Sequence, residues 1–77
     1  MNAEFISKDQ SWQDQTITYW FRADLSELDL IGDMVGVVEC GDGTVDAVDF
    51  EGYRIEHIGV AQKILAACIV TDEMRAQ

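Results

Sequence analysis

Apolar and polar residues alternate most cleanly in Thr16–Ala23 (TITYWFRA). Ile17, Tyr19, Phe21 and Ala23 share one face, and Thr16, Thr18, Trp20 and Arg22 share the other. β-Branched and aromatic residues at a period of two predict a half-buried strand. The Ile17 set is its core face. Met34–Cys40 (MVGVVEC) reads as a second strand, Gly41-Asp42-Gly43 as a tight turn, and Thr44–Phe50 (TVDAVDF) as the returning strand. Glu51-Gly52 signals another turn, after which Tyr53–His57 (YRIEH) is expected to extend the meander. Val48 and Phe50 fall out of phase with Val45 and Ala47, which predicts a bulge near residues 46–48.

From Gly59 the period changes to 3.6. Val60, Ala61, Ile64, Leu65, Cys68 and Ile69 form an apolar stripe, so a helix over residues 58–74 is expected to cover one face of the sheet. Residues 1–15 are mostly polar and read as an extended arm or short strand anchored by Phe5, Ile6 and Trp12. Residues 24–33 allow two readings. One is a short helix capped by Asp24 or Ser26 and carrying Leu25, Leu28, Leu30 and Ile31; the other is an irregular crossing loop. The fold class is α+β: an antiparallel sheet of three or four strands with a C-terminal helix on one face. All 77 residues form one domain, with the arm at 1–15, the sheet at 16–57 and the helix at 58–74.

Composition narrows the chemistry. Apolar residues make up 48% of the chain, too many for a disordered protein despite a formal charge of −10. Met1–Gln10 has neither the basic nor the apolar region of a signal peptide, and no apolar run matches the roughly 20 residues of a membrane span. Two cysteines, Cys40 and Cys68, do not make a disulfide framework and are expected reduced in the core. These features point to the cytoplasm. The negative charge disfavours direct contact with nucleic acid or anionic membrane, so a basic protein is the natural counterpart.

That charge is unevenly placed. The stretch from Ala23 to Tyr53 holds nine carboxylates, Asp24, Glu27, Asp29, Asp33, Glu39, Asp42, Asp46, Asp49 and Glu51, and neither Lys nor Arg. On paired strands, alternate residues stand about 6.6–6.8 Å apart and neighbouring strands about 4.8 Å. Acids at that spacing would crowd the hairpin turns and one sheet edge. Such repulsion opposes folding, whereas solubility needs a net charge of only roughly 2–8. The functional reading is a surface that imitates a phosphate backbone and docks where a basic protein holds nucleic acid. Its contact set is these nine acids together with Trp20, which lies opposite the core face of its strand and suits an interface. Reversing Asp42, Asp46 and Asp49 to Lys is expected to remove binding and leave the fold intact. Two other readings stand beside it: a homodimeric structural or assembly protein joined through Trp20 and an open sheet edge, and a salt-adapted acidic domain.

The remaining candidates fail on pattern. Counted from Asp42, an EF-hand loop would need an acid at Thr44 and Gly at Ala47, so no metal site is expected. Gly41-Asp42-Gly43-Thr44 lacks the Lys of a phosphate loop. Cys40 with His57, the single histidine, has no third member or oxyanion signature, so no enzyme activity and no cofactor are expected. His57 is explained by its place before the helix. Trp12 and Trp20 are expected to pack together.

Small size, strong acidity and a compact α+β pattern resemble the phage-encoded anti-CRISPR proteins. Ser7-Lys8-Asp9-Gln10-Ser11-Trp12 and Thr18-Tyr19-Trp20-Phe21 are similar to the start of an acidic member that acts against type I surveillance complexes. The resemblance is confined to these short runs and contains no diagnostic motif. It implies an inhibitor that binds the DNA-holding surface of a Cascade-type complex in the host cytoplasm. It assigns no inhibitor residue, so the contact set rests on charge alone.

Overall fold

The computed structural model describes residues 2–24, 26–28 and 32–77, with the Glu27 side chain left out. Four antiparallel strands lie in chain order: β1 (Ala3–Ser11), β2 (Thr16–Ala23), β3 (Met34–Cys40) and β4 (Val45–Val48). A short 3-10 turn, Ser26–Leu28, precedes β3, and two helices, α1 (Ile58–Ala67) and α2 (Asp72–Arg75), end the chain. The α+β architecture expected from the pattern is the one observed.

β2 is the spine of the sheet. Its odd-numbered residues meet β3 in the pairs Ile17–Glu39, Tyr19–Val37 and Phe21–Val35. Tyr19, Phe21, Ala23, Val35, Val37 and Ala47 form a buried cluster with Ile64 and Cys68 of the C-terminal segment. Each large aliphatic or aromatic side chain buried here contributes roughly 1.5–3 kcal/mol. The helical layer therefore covers the Ile17 face, as the alternation of β2 requires.

One open alternative is resolved and three local expectations change. Of the two readings of the N-terminus, arm or short strand, the strand is the one observed: residues 3–11 form the nine residues of β1, closed onto β2 through the turn at 12–15, where Gln15 takes a left-handed φ of 55°. The sequence hides this strand because its bulge lies at Ile6: Phe5 pairs with Phe21 but Ser7 with Trp20, so the alternation inverts midway. No register shift occurs at residues 46–48, where Val38 faces Asp46 and Gly36 faces Val48. Val48 is out of phase because it is buried on the opposite side of the sheet, over Gly36.

Tyr53–His57 does not form a full strand. It contributes one bridge, Val48 to Arg54, and the Ile55 N–H bonds the Ala47 carbonyl. The expected helix over 58–74 breaks at Cys68. Cys68, Ile69, Val70 and Thr71 are poor helix formers. Thr71 then starts α2, its hydroxyl accepting the Met74 N–H, with Asp72 and Glu73 in the first turn. The break turns Ile69 outward, 66% exposed, out of the predicted stripe. His57 caps α1, with Nδ1 accepting the Val60 N–H at 3.2 Å.

Candidate functional site

The acids of the 23–53 stretch divide by what they do locally. Three hold turns. Asp42 Oδ1 accepts the Thr44 N–H at 3.0 Å and the Thr44 hydroxyl at 2.7 Å, closing the β3–β4 hairpin over Gly43, whose φ of +89° suits glycine. Asp49 Oδ1 accepts the N–H groups of Glu51 at 2.9 Å and Tyr53 at 3.0 Å, closing the next turn. Asp24 Oδ1 accepts the Ser26 N–H at 3.1 Å at the head of the 3-10 turn. Hydrogen bonds to the charged form lower a carboxyl pKa. The Thr44 bonds depress that of Asp42, and the Ser26 bonds that of Asp24.

Three others meet arginines that lie outside the stretch in sequence. Asp33 stands 3.6 Å from Arg22, Asp46 3.8 Å from Arg54, and Glu39 3.0 Å from Arg75. The first two pairs are largely solvated and worth little. The third is a two-pronged clamp that lowers the pKa of Glu39 through the Arg75 hydrogen bonds. Local absence of Lys and Arg in the sequence thus does not mean unopposed charge in the fold. Glu51 stays exposed on its turn. Asp29 and the side chain of Glu27 lie outside the described residues.

Strand register also separates these acids. Glu39 pairs with Ile17 and Val45 on the helix side, whereas Asp46 pairs with Val38 on the open side. Asp42, Asp46, Asp49 and Glu51 do gather along β4 and its two flanking turns. Among them, Arg54 is the basic residue that pairs with an acid. The expected Lys reversal at 42, 46 and 49 would therefore disturb two turns as well as the charge. Asn at 42 and 49 removes charge while keeping the accepting oxygen.

Trp20 and Trp12 do not act together. Trp12 is 81% exposed on the β1–β2 turn. Trp20 is half-buried on the open face, its indole N–H donating to Asp9 Oδ2 at 3.0 Å. Asp9 and Gly36 complete this site, and neither stands out by charge pattern or alternation in the sequence. A glycine inside a strand signals close approach of another group. A Cβ at Gly36 would lie 3.1 Å from Cζ3 of Trp20 and 2.7 Å from Cγ2 of Val48.

Cys40 is half-buried and Cys68 buried, both as free thiols. Burial pushes the Cys68 thiol up to about 11, which leaves it protonated and unreactive near neutral pH. Among the described residues no three His, Cys, Asp or Glu side chains are grouped to hold a metal ion. No described helix is long and apolar enough to cross a membrane. No family model, curated protein or solved structure matches this chain.

Proposed function

We propose that this protein binds the nucleic-acid-binding surface of a basic partner and blocks it, acting as a mimic of DNA charge. The observation that carries the reading is the placement of Asp42, Asp46, Asp49 and Glu51 along β4 and its turns in a chain of net charge −10. Asp42 and Asp49 are oriented by their own turns, so little side-chain entropy is lost when a cation arrives. Such a surface speeds encounter with a basic groove, and the association weakens steeply as salt rises. The narrower form of the proposal is an anti-CRISPR inhibitor acting on a type I Cascade-type complex, whose DNA channel has this basic character.

The test is displacement of labelled target duplex from a purified type I surveillance complex, at low and physiological salt. The wild-type chain should release the DNA, more effectively at low salt. A variant with Asp42→Asn, Asp46→Asn, Asp49→Asn and Glu51→Gln should fold normally and fail to release it. Equal activity of the variant would overturn the mimic reading. No displacement by either chain would overturn its anti-CRISPR form.

A further inference from the structure

The sheet face turned away from the helices carries none of the main buried cluster, and no described helix packs on it. Register places two adjoining rows there. One runs Ser7, Trp20, Gly36, Val48, and the other runs Asp9, Thr18, Val38, Asp46. Trp20 sits at the centre. Its Nε1 reaches Asp9 on β1, while Cζ3 lies over Gly36 on β3. The indole therefore spans its own strand from one neighbour to the other, lying across the sheet and seated where Gly36 has no side chain. Asp9 Oδ2 holds the ring and leaves Oδ1 open to a second donor.

We infer that this open face is where the basic partner docks, with a partner arginine laid on Trp20 and bonded to Asp9. The inference rests on the basic-partner reading and adds the location and the recognised side chain. Charge selects the occupant. Glu4, Asp9 and Asp46 lie on this face with Arg22 and Arg54; Asp33 engages Arg22 and Asp46 engages Arg54, which leaves Glu4 and Asp9 with no ion-pair partner among the described residues. A second copy would bring the same acids face to face in a molecule of charge −10, whereas a cationic segment is complementary. Geometry selects arginine over lysine. A planar guanidinium stacks on an indole and donates in its own plane to a neighbouring carboxylate, which an ammonium does less well. Half-buried Val38 and Met34 offer apolar surface to its methylene stem.

The test is titration of the ¹⁵N-labelled full chain with blocked tetra-arginine and tetra-lysine peptides, followed by NMR. The largest shifts should fall on the Trp20 indole N–H and on the amides of Ser7, Thr18, Gly36 and Val38. Tetra-arginine should bind about threefold tighter than tetra-lysine, the scale of an exposed cation–π contact. Trp20→Leu should abolish that preference. Asp9→Asn keeps an acceptor for the indole and should still weaken tetra-arginine severalfold, so the inference is testable even if Trp20→Leu folds poorly. Shifts centred on Asp42, Asp49 and Glu51 with a silent indole would overturn the docking face but leave the basic-partner reading standing. Equal affinity for the two peptides would overturn the arginine assignment. Absence of saturable binding to either peptide would count against both.

Discussion

Arg75 grips Glu39 with both ends of its guanidinium, Nε to Oε1 at 3.3 Å and Nη2 to Oε2 at 3.0 Å, across 36 residues of sequence. The same guanidinium bonds Asp72 at 3.0 Å, and the Arg75 carbonyl accepts Lys8 Nζ at 2.9 Å. α2 has only four residues and packs only Met74, partly buried, against the core, so these bonds help tie it to β1 and β3. Replacing Arg75 by Lys keeps the charge but loses the fork. Amide exchange at residues 75–77 should then quicken severalfold, with little change in the urea midpoint of the whole domain. A large fall in that midpoint would mean that the clamp holds the core as well.

The pH dependence of stability follows from the carboxylates whose pKa is lowered in the fold. Arg75 lowers that of Glu39, and backbone and hydroxyl donors lower those of Asp24 and Asp42. A depressed folded-state pKa contributes stability that is fully present above the unfolded value, about 4.3 for Glu and 3.9 for Asp. That contribution is lost as pH falls through the folded value. Denaturation followed from pH 6 to pH 2 should show stability falling below about pH 4, with a shallower fall in Glu39→Gln. A rise in stability on acidification would mean that general repulsion outweighs these contacts.

Tyr19 carries a buried hydroxyl beside the carboxylate of Glu39 that completes no hydrogen bond of good geometry in this structure. Burial first, and that carboxylate second, push its pKa up. An unsatisfied buried polar group costs about 1–3 kcal/mol. Tyr19→Phe should therefore leave stability unchanged or raise it by up to about 1 kcal/mol in urea denaturation. A loss of similar size would assign the hydroxyl a bond to Glu39 in solution.

Asp49 separates turn-making from charge. Asp49→Ala removes the acceptor for two backbone N–H groups and should cost about 1–2 kcal/mol, the scale of a lost cap. Asp49→Asn should cost far less, because its side-chain oxygen accepts in the same place. If both substitutions cost the same, the charge and not the turn carries the effect.

Gly36→Ala tests the seat of Trp20. The added methyl would stand 2.7 Å from Cγ2 of Val48, 3.0 Å from Cγ2 of Thr18 and 3.1 Å from Cζ3 of Trp20. Overpacking of this kind costs about 1–3 kcal/mol. In a Trp12→Phe background the Trp20 emission should also shift as the ring is displaced. Unchanged emission and stability would show that the face yields without strain.

Much of this architecture was legible because local pattern and tertiary demand agree. Thr16–Ala23 can bury only its Ile17 face, Gly43 and Gly52 mark turns their φ values of 89° and 88° require, and Val60–Cys68 presents one apolar stripe. Where local pattern and partner disagree, it misled. β1 reads as polar because the bulge at Ile6 inverts its alternation, and a bulge is defined by the strand alongside it. The break after α1 was written in Cys68–Thr71 but looked like a continuing stripe, since Ile69 fits helical spacing whether or not the helix persists.

The acidic contact set shows the same division. Sequence alone determined the charge of −10, the run of nine acids and the tight turn that holds Asp42, because Asx turns are made within a few residues. Asp49, expected inside the returning strand, closes a turn of its own because β4 ends at Val48. Only the tertiary structure decided which acids stand opposed. Arg22, Arg54 and Arg75 lie outside the run, yet chain reversal brings them to Asp33, Asp46 and Glu39. It also decided that Trp20 lies over Gly36 and binds Asp9, since these three residues come from three strands whose register is set by burial of the opposite face. Coulomb and stacking forces act through space, and distance along the chain does not report them.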